Sequence, residues 1–377
     1  AFQFDWSDEG VAIGGVWRKV QLAHMKLCAS RAFWLVGYPS QGHEMLFDAH
    51  TRCLTGLGGV AGRGIYDNMK TAVDLTPRKD RGRVVNARFA AMAAHYLFEP
   101  DFCNVASGWE KGRVEKSVQD TRRRIWQEAQ HQRFASFAEL NAWLPAQCLA
   151  AWEAPHPELP GVTIHQAWTQ ERAQLMPMPT PFDGYVEVPA RVSSTSLISV
   201  ARNRYSVPCA WAGHRVSVRL YPERVVVVAD QAVVAEHPRA TDRDQVVYAW
   251  QHYLPLVAHK PGALRNGAPF NDMPLPLIQL QKHLLKHEGG DRVMAQVLAV
   301  VPEHGVEAVL VAVELALESG RPSAEHVLNV LARLKQPLSL PESITGDWLL
   351  QEAPQANVER YDLWRNPVDV QEVNHVD

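Results

Sequence analysis

Apolar and polar positions alternate from the start of the chain, Phe2 and Phe4 flanking Gln3, which predicts a short strand over residues 1–5. Trp17, Val20 and Leu22 among charged neighbours predict a second strand over 16–27, and the apolar run 31–38, closed by Pro39, a third. The period then becomes helical, with Met45, Leu46, Ala49, Cys53 and Leu57 recurring on one face. A strand over 62–67, a helix over 86–98 and a strand over 102–105 follow. From Trp109 a long helix carries Val114, Val118, Ile125 and Trp126 opposite a mostly polar face.

Three leading strands on short links suggest an antiparallel meander, and the full order β-β-β-α-β-α-β-α is that of an α/β ribonuclease-H-like domain, expected over 1–133. Residues 134–181 read as a helical connector rich in Ala, Trp and Leu, ending in the proline-spaced linker Met-Pro-Met-Pro-Thr-Pro. Period-two alternation then dominates 182–240, where five or six short strands predict a small β-barrel. A basic loop and three or four helices occupy 241–340, and an acidic tail covers 341–377.

Across all 377 residues the net charge is -3, which by itself speaks against a polyanion binder. Resolved along the chain, the charge says the opposite. The tail from Glu342 holds eight acids against Arg360 and Arg365, leaving 1–341 at net +3. Five dispersed cysteines with no Cys-x-x-Cys pair signal neither a disulfide framework nor zinc, so a reducing cytoplasm is expected. The longest apolar stretch, near 306–317, is interrupted by Glu307 and Glu314 and is too short for a membrane span. The chain opens at Ala1 directly in a strand pattern, as a piece cut from a longer protein would. Gly56-Leu57-Gly58-Gly59 lacks the Gly-Lys-Ser/Thr ending of a phosphate loop, so nucleotide hydrolysis is expected of a partner if it is needed at all. His24, His43 and His50 read as surface or satisfied core residues.

The candidate chemistry lies in three acids. In the inferred topology Asp5 ends the first strand, Asp67 ends the fourth, and Glu115 lies on the helix after the fifth, with Glu110 an alternative helical ligand. Three carboxylates brought together repel one another unless cations neutralise them. Hard divalent ions such as Mg²⁺ or Mn²⁺ suit all-oxygen ligands, and two per site would serve in-line phosphoryl displacement.

The surrounding phrases resemble the transposase and retroviral-integrase superfamily that uses an Asp-Asp-Glu triad, and in particular the IstA-type insertion-sequence transposases. These phrases are Tyr66-Asp67-Asn68-Met69-Lys70-Thr71-Ala72-Val73, residues 108–118, Tyr205-Ser206-Val207-Pro208 with Gly213, Val216, Val218 and Arg219, and Lys260-Pro261-Gly262-Ala263-Leu264-Arg265-Asn266. The resemblance runs over roughly residues 1–270; that family's N-terminal helix-turn-helix portion has no counterpart here. It implies that Asp5, Asp67 and Glu115 bind the metals, that the element's ends are nicked, and that the freed 3′-hydroxyl attacks target DNA. It also implies double-stranded DNA, further copies of the chain as a dimer or larger assembly, and an AAA+ ATPase helper of the IstB type as partners.

Phosphate contacts are expected where positive charge concentrates. Residues 111–133 carry net +4, including Lys111, Arg113, Lys116, Arg122 and Arg123, although a solvated helix face laced with ion pairs would look the same. Arg78, Lys79, Arg81 and Arg83 form a second group, open to reading as an ordinary charged loop. Arg202 and Arg204, beside Tyr205, form a third within the β region, Tyr205 itself fitting a core position. Two other readings stay open: a nuclease of this fold that cleaves without joining, and an inactive architectural DNA-binding protein.

Overall fold

The computed structural model describes residues 1–66, 73–74, 84–102, 114–320 and 322–335, with the side chains of 73, 74, 84, 85 and 114–121 outside that description. Two compact units form, Ala1–Met273 and a second beginning at Pro274.

The first unit opens with a long hairpin. Strands β1 (Phe2–Ile13) and β2 (Val16–Leu27) pair antiparallel along their whole length, from Phe2 opposite Leu27 to Ile13 opposite Val16. Gly14 and Gly15, at φ 62° and 76°, supply the left-handed two-residue turn whose twist matches the strands. The expected first strand was far too short, and Asp5 therefore lies inside β1 instead of ending it. The acidic stretch Ser7-Asp8-Glu9 interrupts the apolar alternation, yet it stays in the ladder, where Asp8 pairs with Lys19 at 2.9 Å. Gly10 leaves room for the Trp17 indole, which a Cβ there would meet at 2.9 Å.

Then come β3 (Phe33–Tyr38), helix α1 (His43–Leu57), β4 (Arg63–Tyr66), the short pair β5 (Val73–Asp74) and β6 (Val84–Val85), α2 (Ala87–Tyr96), β7 (Glu99–Phe102) and α3 (Val114–Gln130). The main sheet runs β3-β2-β1-β4-β7, antiparallel from β3 to β1 and parallel from β1 to β7. This is the strand-and-helix order expected of a ribonuclease-H-like domain. Strand β7 begins earlier than the expected 102–105, because the polar Glu99-Pro100-Asp101 stretch pairs with Arg63, Gly64 and Ile65; residues 103–105 lie outside the described residues.

Each face of the sheet is covered. Helix α1 buries Met45, Leu46, Phe47, His50 and Leu54 against one face, and Gly58, at φ 85°, caps its C-terminus. Helix α4 (Phe137–Ala151) docks on edge strand β3 through Asn141, whose amide accepts from Gly37 N at 2.7 Å and donates to Gly37 O at 2.9 Å. Helix α5 (Ile164–Arg172) completes the connector behind a Thr163/Gln166 capping box.

The strands expected of a small barrel are hydrogen-bonded as two sheets around one core. β8 (Val186–Arg191), β11 (Arg215–Leu220), β12 (Arg224–Ala229) and β13 (Ala232–Pro238) form an antiparallel sheet in the order β13-β12-β11-β8. β9 (Leu197–Val200), β10 (Asn203–Ser206) and β14 (Val246–Val247) form the other. Alternation assigns inward faces but not partners, which is why a closed barrel and two sheets read alike. Ile198, Tyr205, Val218, Val225 and Val227 meet in the shared core. Short helices α6 (Leu254–His259) and α7 (Ala263–Asn266) follow. The second unit contains α8 (Leu275–Leu284), α9 (Gly290–Ala299), α10 (Val301–His304), α11 (Val306–Glu318) and α12 (Ala324–Lys335), with Leu280, Met294, Val309, Val313 and Val327 fully buried. No described helix is long and apolar enough to cross a membrane.

Charged pairs join the β module to helix α1 and strand β2 of the five-stranded sheet. Arg52 of α1 reaches Glu223 at 2.6 Å, Arg18 of β2 pairs with Asp242, and Arg239 binds Glu44 at 2.9 Å while donating to the Tyr221 carbonyl at 2.7 Å. The last pair is largely buried, 14% and 8% exposed, so losing one partner strands a charge away from water. Arg239→Met is expected to destabilise the first unit by about 3 kcal/mol, and the double change with Glu44→Leu to recover most of that loss. Thermal melts of the three proteins check it.

Candidate active site and nucleic-acid surface

The parallel strands stay in register up to their last described pairs. Phe4 lies opposite Tyr66, and Tyr66 opposite Phe102. Asp5 is the residue after Phe4, exposed at the rim, with Oδ1 accepting the Trp6 amide at 2.8 Å. Asp67 follows Tyr66 in sequence and lies outside the described residues.

Behind Asp5, on the other face of the sheet, the aromatic layer is held by one histidine. His50 stands fully buried on α1, its ring stacked on Phe4 with centroids 4.4 Å apart. Nδ1 lies 2.8 Å from the Leu46 carbonyl and must be the protonated nitrogen, leaving Nε2 to accept from the Tyr66 hydroxyl at 2.9 Å. The same imidazole thus touches the residue before Asp5 and the residue before Asp67. Phe2, Phe89 and Phe98 complete the layer edge-on or stacked. Burial holds the His50 imidazole down at about 4.

On Asp5's own face, His24 is its cross-strand neighbour. It is buried, burial together with Arg122 and Lys26 pushes it down to about 3, and its Nε2 has no hydrogen-bond partner among the described residues. The expectation of a surface or satisfied core residue fails here, as it does for His43, whose Nε2 is likewise buried and unpartnered. It holds for His50. Two residues farther along β1 than Ser7, Glu9 is half-buried, its carboxyl pushed up by burial and held back by Arg122.

Helix α3 runs along this face. Trp126 Nε1 and Gln130 Nε2 both donate to the Gly10 carbonyl, at 3.1 and 3.3 Å, and Phe134 bridges to Ile13 beyond the helix. Moving back along α3 therefore moves back along β1 toward Asp5. Glu115, whose side chain is outside the description, is the second residue of α3, seven before Arg122 and eleven before Trp126. At 3.6 residues per turn those three positions share one face. Glu110 lies outside the described residues, as do Arg78, Lys79, Arg81, Arg83, Lys111 and Arg113; the side chain of Lys116 is also outside.

Of the remaining expected DNA contacts, Arg123 is exposed and Arg122 half-buried beside His24 and Glu9. Arg202 sits exposed in the β9–β10 turn at φ 62°, Arg204 is exposed on β10, and Tyr205 is core, its hydroxyl accepting the Ala240 amide at 3.1 Å. The four described cysteines are free.

Comparison with known proteins decides the family. The chain is 51% identical to a transposase of Aminobacter aminovorans over 97% of its own length and 73% of that protein's. It is 50% identical, over 98% of its length and 73% of the relative's, to the transposase for insertion sequences IS1326/IS1353 of Pseudomonas aeruginosa. The chain belongs to the insertion-sequence transposases. A more distant member, the IS21 transposase of Pseudomonas aeruginosa, is 30% identical over 69% of this chain and 67% of that one. Residues 177–249 of this transposase match the family described as Mu transposase, C-terminal domain, which covers the two-sheet β module. The catalytic core domain of BIV integrase superimposes loosely on 46% of the transposase and 95% of that domain, with a TM-score of 0.32 and 9% identity.

The neutral His50 gives the transposase an acid-sensitive core. Its folded value, about 4, lies below the ordinary 6.5, so the stabilisation is complete above pH 6.5 and is lost as pH falls toward 4, about 3 kcal/mol in all. His50→Gln is expected to lower stability at neutral pH yet to flatten the decline between pH 6.5 and 4. Denaturant titrations across that window check it; an unchanged slope would contradict the assignment.

Proposed function

We propose that this chain is the catalytic part of an IstA-type DNA transposase in which Asp5, Asp67 and Glu115 hold two Mg²⁺ or Mn²⁺ ions. The observation that carries this reading is the run of α3 along β1. From Trp126 back to Glu115 the helix covers eleven residues, about 16 Å at 1.5 Å each. From Gly10 back to Asp5 the strand covers five, about 17 Å. The two spans match, and Glu115 shares the face of Trp126, so the third carboxylate is expected beside Asp5. The same arithmetic favours Glu115 over Glu110. The registered end of β4 at Tyr66, opposite Phe4, supports Asp67 as the second.

The donor set fits the metals. Asp5 is exposed at the rim with one oxygen fixed by the Trp6 amide, and carboxylate oxygens suit hard divalent ions. Such ions, once bound, activate an attacking oxygen and stabilise the leaving one in an in-line displacement. The chain's own part is to hold three carboxylates at fixed separation and to offer Arg122, Arg123, Arg202 and Arg204 to DNA phosphates, whose charge they would neutralise. Water and a DNA 3′-hydroxyl are alternative nucleophiles for one such site, so nicking of element ends and strand transfer to target DNA need no second centre. Two ends require two sites, which implies a dimer or larger assembly, and an AAA+ helper of the IstB type would act with it in the cytoplasm.

In a Mg²⁺-dependent nicking assay, Asp5→Asn, Asp67→Asn and Glu115→Gln are each expected to reduce the rate by more than about a hundredfold while leaving thermal melts intact, and Glu110→Gln to be nearly silent. A large loss in Glu110→Gln with activity kept in Glu115→Gln would reverse the helical assignment. Following a labelled 3′-end into a target plasmid separates transfer from cleavage alone.

A further inference from the structure

The arginines assigned to DNA so far do not include two at the boundary between the catalytic sheet and the β module. Helix α2 begins where the parallel strands end: Phe89 packs against Tyr66 and Phe102, ring centroids 5.2 and 6.0 Å apart. Its neighbour Arg88 places a guanidinium 4.6 Å from the centre of the Tyr185 ring, and Arg219 of β11 places another 4.8 Å from the same ring. One tyrosine, just before β8, thus stacks with a cation from each side of the boundary. Stacking orients a guanidinium while leaving its charge intact.

What distinguishes this pair is the absence of a counter-charge. Arg52 has Asp48 and Glu223, Arg224 has Glu236, Arg239 has Glu44, and Arg18 has Asp242. Among the described residues neither Arg88 nor Arg219 has a carboxylate within 4.0 Å, and Nε of Arg219 is buried without a hydrogen-bond partner. Glu187, opposite Arg219 in the β8–β11 ladder, accepts instead from the Ser217 hydroxyl. Two fixed, unneutralised guanidiniums on one ring are at most about 9 Å apart. A DNA strand carries a phosphate every ~3.4 Å of helix rise, so neighbouring phosphates fall within reach of both, and the planar guanidinium fork matches phosphate oxygens.

We propose that Arg88 and Arg219, stacked on Tyr185, form a phosphodiester-binding clamp for a DNA strand passing from the carboxylate end of the sheet onto the β module. The clamp rests on the reading of the chain as a DNA-acting enzyme, but not on the identity of the three carboxylates. The test therefore measures binding of a fluorescein-labelled mixed-sequence duplex to the full chain in EDTA, by anisotropy over a range of salt. Arg88→Gln and Arg219→Gln are each expected to weaken binding several-fold and to reduce the slope of log affinity against log salt by about 0.9, the double variant by about twice that. A folded double variant with the wild-type slope and affinity overturns the proposal and leaves the stack as domain glue. Should the glutamine proteins fail to fold, Arg88→Lys and Arg219→Lys take their place. They keep the charge and lose the stacked fork, so a kept slope with weaker binding supports the clamp, and wild-type affinity overturns it.

Discussion

A single neutral imidazole ties together the two strands on which the proposed chemistry depends. His50 is fixed to its own helix through the Leu46 carbonyl, stacks on Phe4 and accepts from Tyr66, so β1 and β4 are held at their last shared register pair. An exposed carboxylate such as Asp5 cannot be positioned by burial of its own side chain. Its position is inherited from the residue before it, and that residue is clamped from below. An apolar residue at 50 could fill the volume but would leave the Tyr66 hydroxyl buried and unsatisfied, which costs about 1–3 kcal/mol. A charged imidazole would fail differently, by presenting two donors where the layer needs one donor and one acceptor.

The relation between charge and architecture runs through the same unit. Most arginines at the boundary of the β module are consumed by carboxylates from the other side, and these pairs determine how the module sits on α1 and β2. The arginines available to a polyanion are the remainder. Positive charge counted along a sequence therefore overstates a binding surface, because Arg52, Arg224 and Arg239 are already spoken for, and it understates one where Arg88 stands isolated in a mostly apolar helix.

Much of the fold was legible. Strand β2 and helix α1 follow directly from their apolar spacing, and the order of strands and helices was sufficient to assign the class. What failed did so for physical reasons. Polar residues that are paired rather than exposed hide the length of β1, and the last eight positions of β2 are buried on both faces, so His24 and Lys26 look like surface residues in the sequence and are not. Tertiary pairs such as Glu44 with Arg239, 195 residues apart, leave no local trace at all. Aromatic neighbours mark Asp5 as a candidate in the sequence; that His50 supports the residue before it could not be read there, since only the packed layer brings α1 beneath Phe4.

Beyond Phe4, strand β1 has β2 on one side and, among the described residues, no strand on the other, and α3 packs along it from its far end. Gly14 donates to the Phe134 carbonyl at 2.8 Å, the Gly10 carbonyl takes Trp126 and Gln130, and Ile13 bridges Phe134. A rigid rod pinned at one end needs no guidance at the other. On the proposed reading, this anchoring of α3 by its C-terminal end is what would hold Glu115 at its place beside β1.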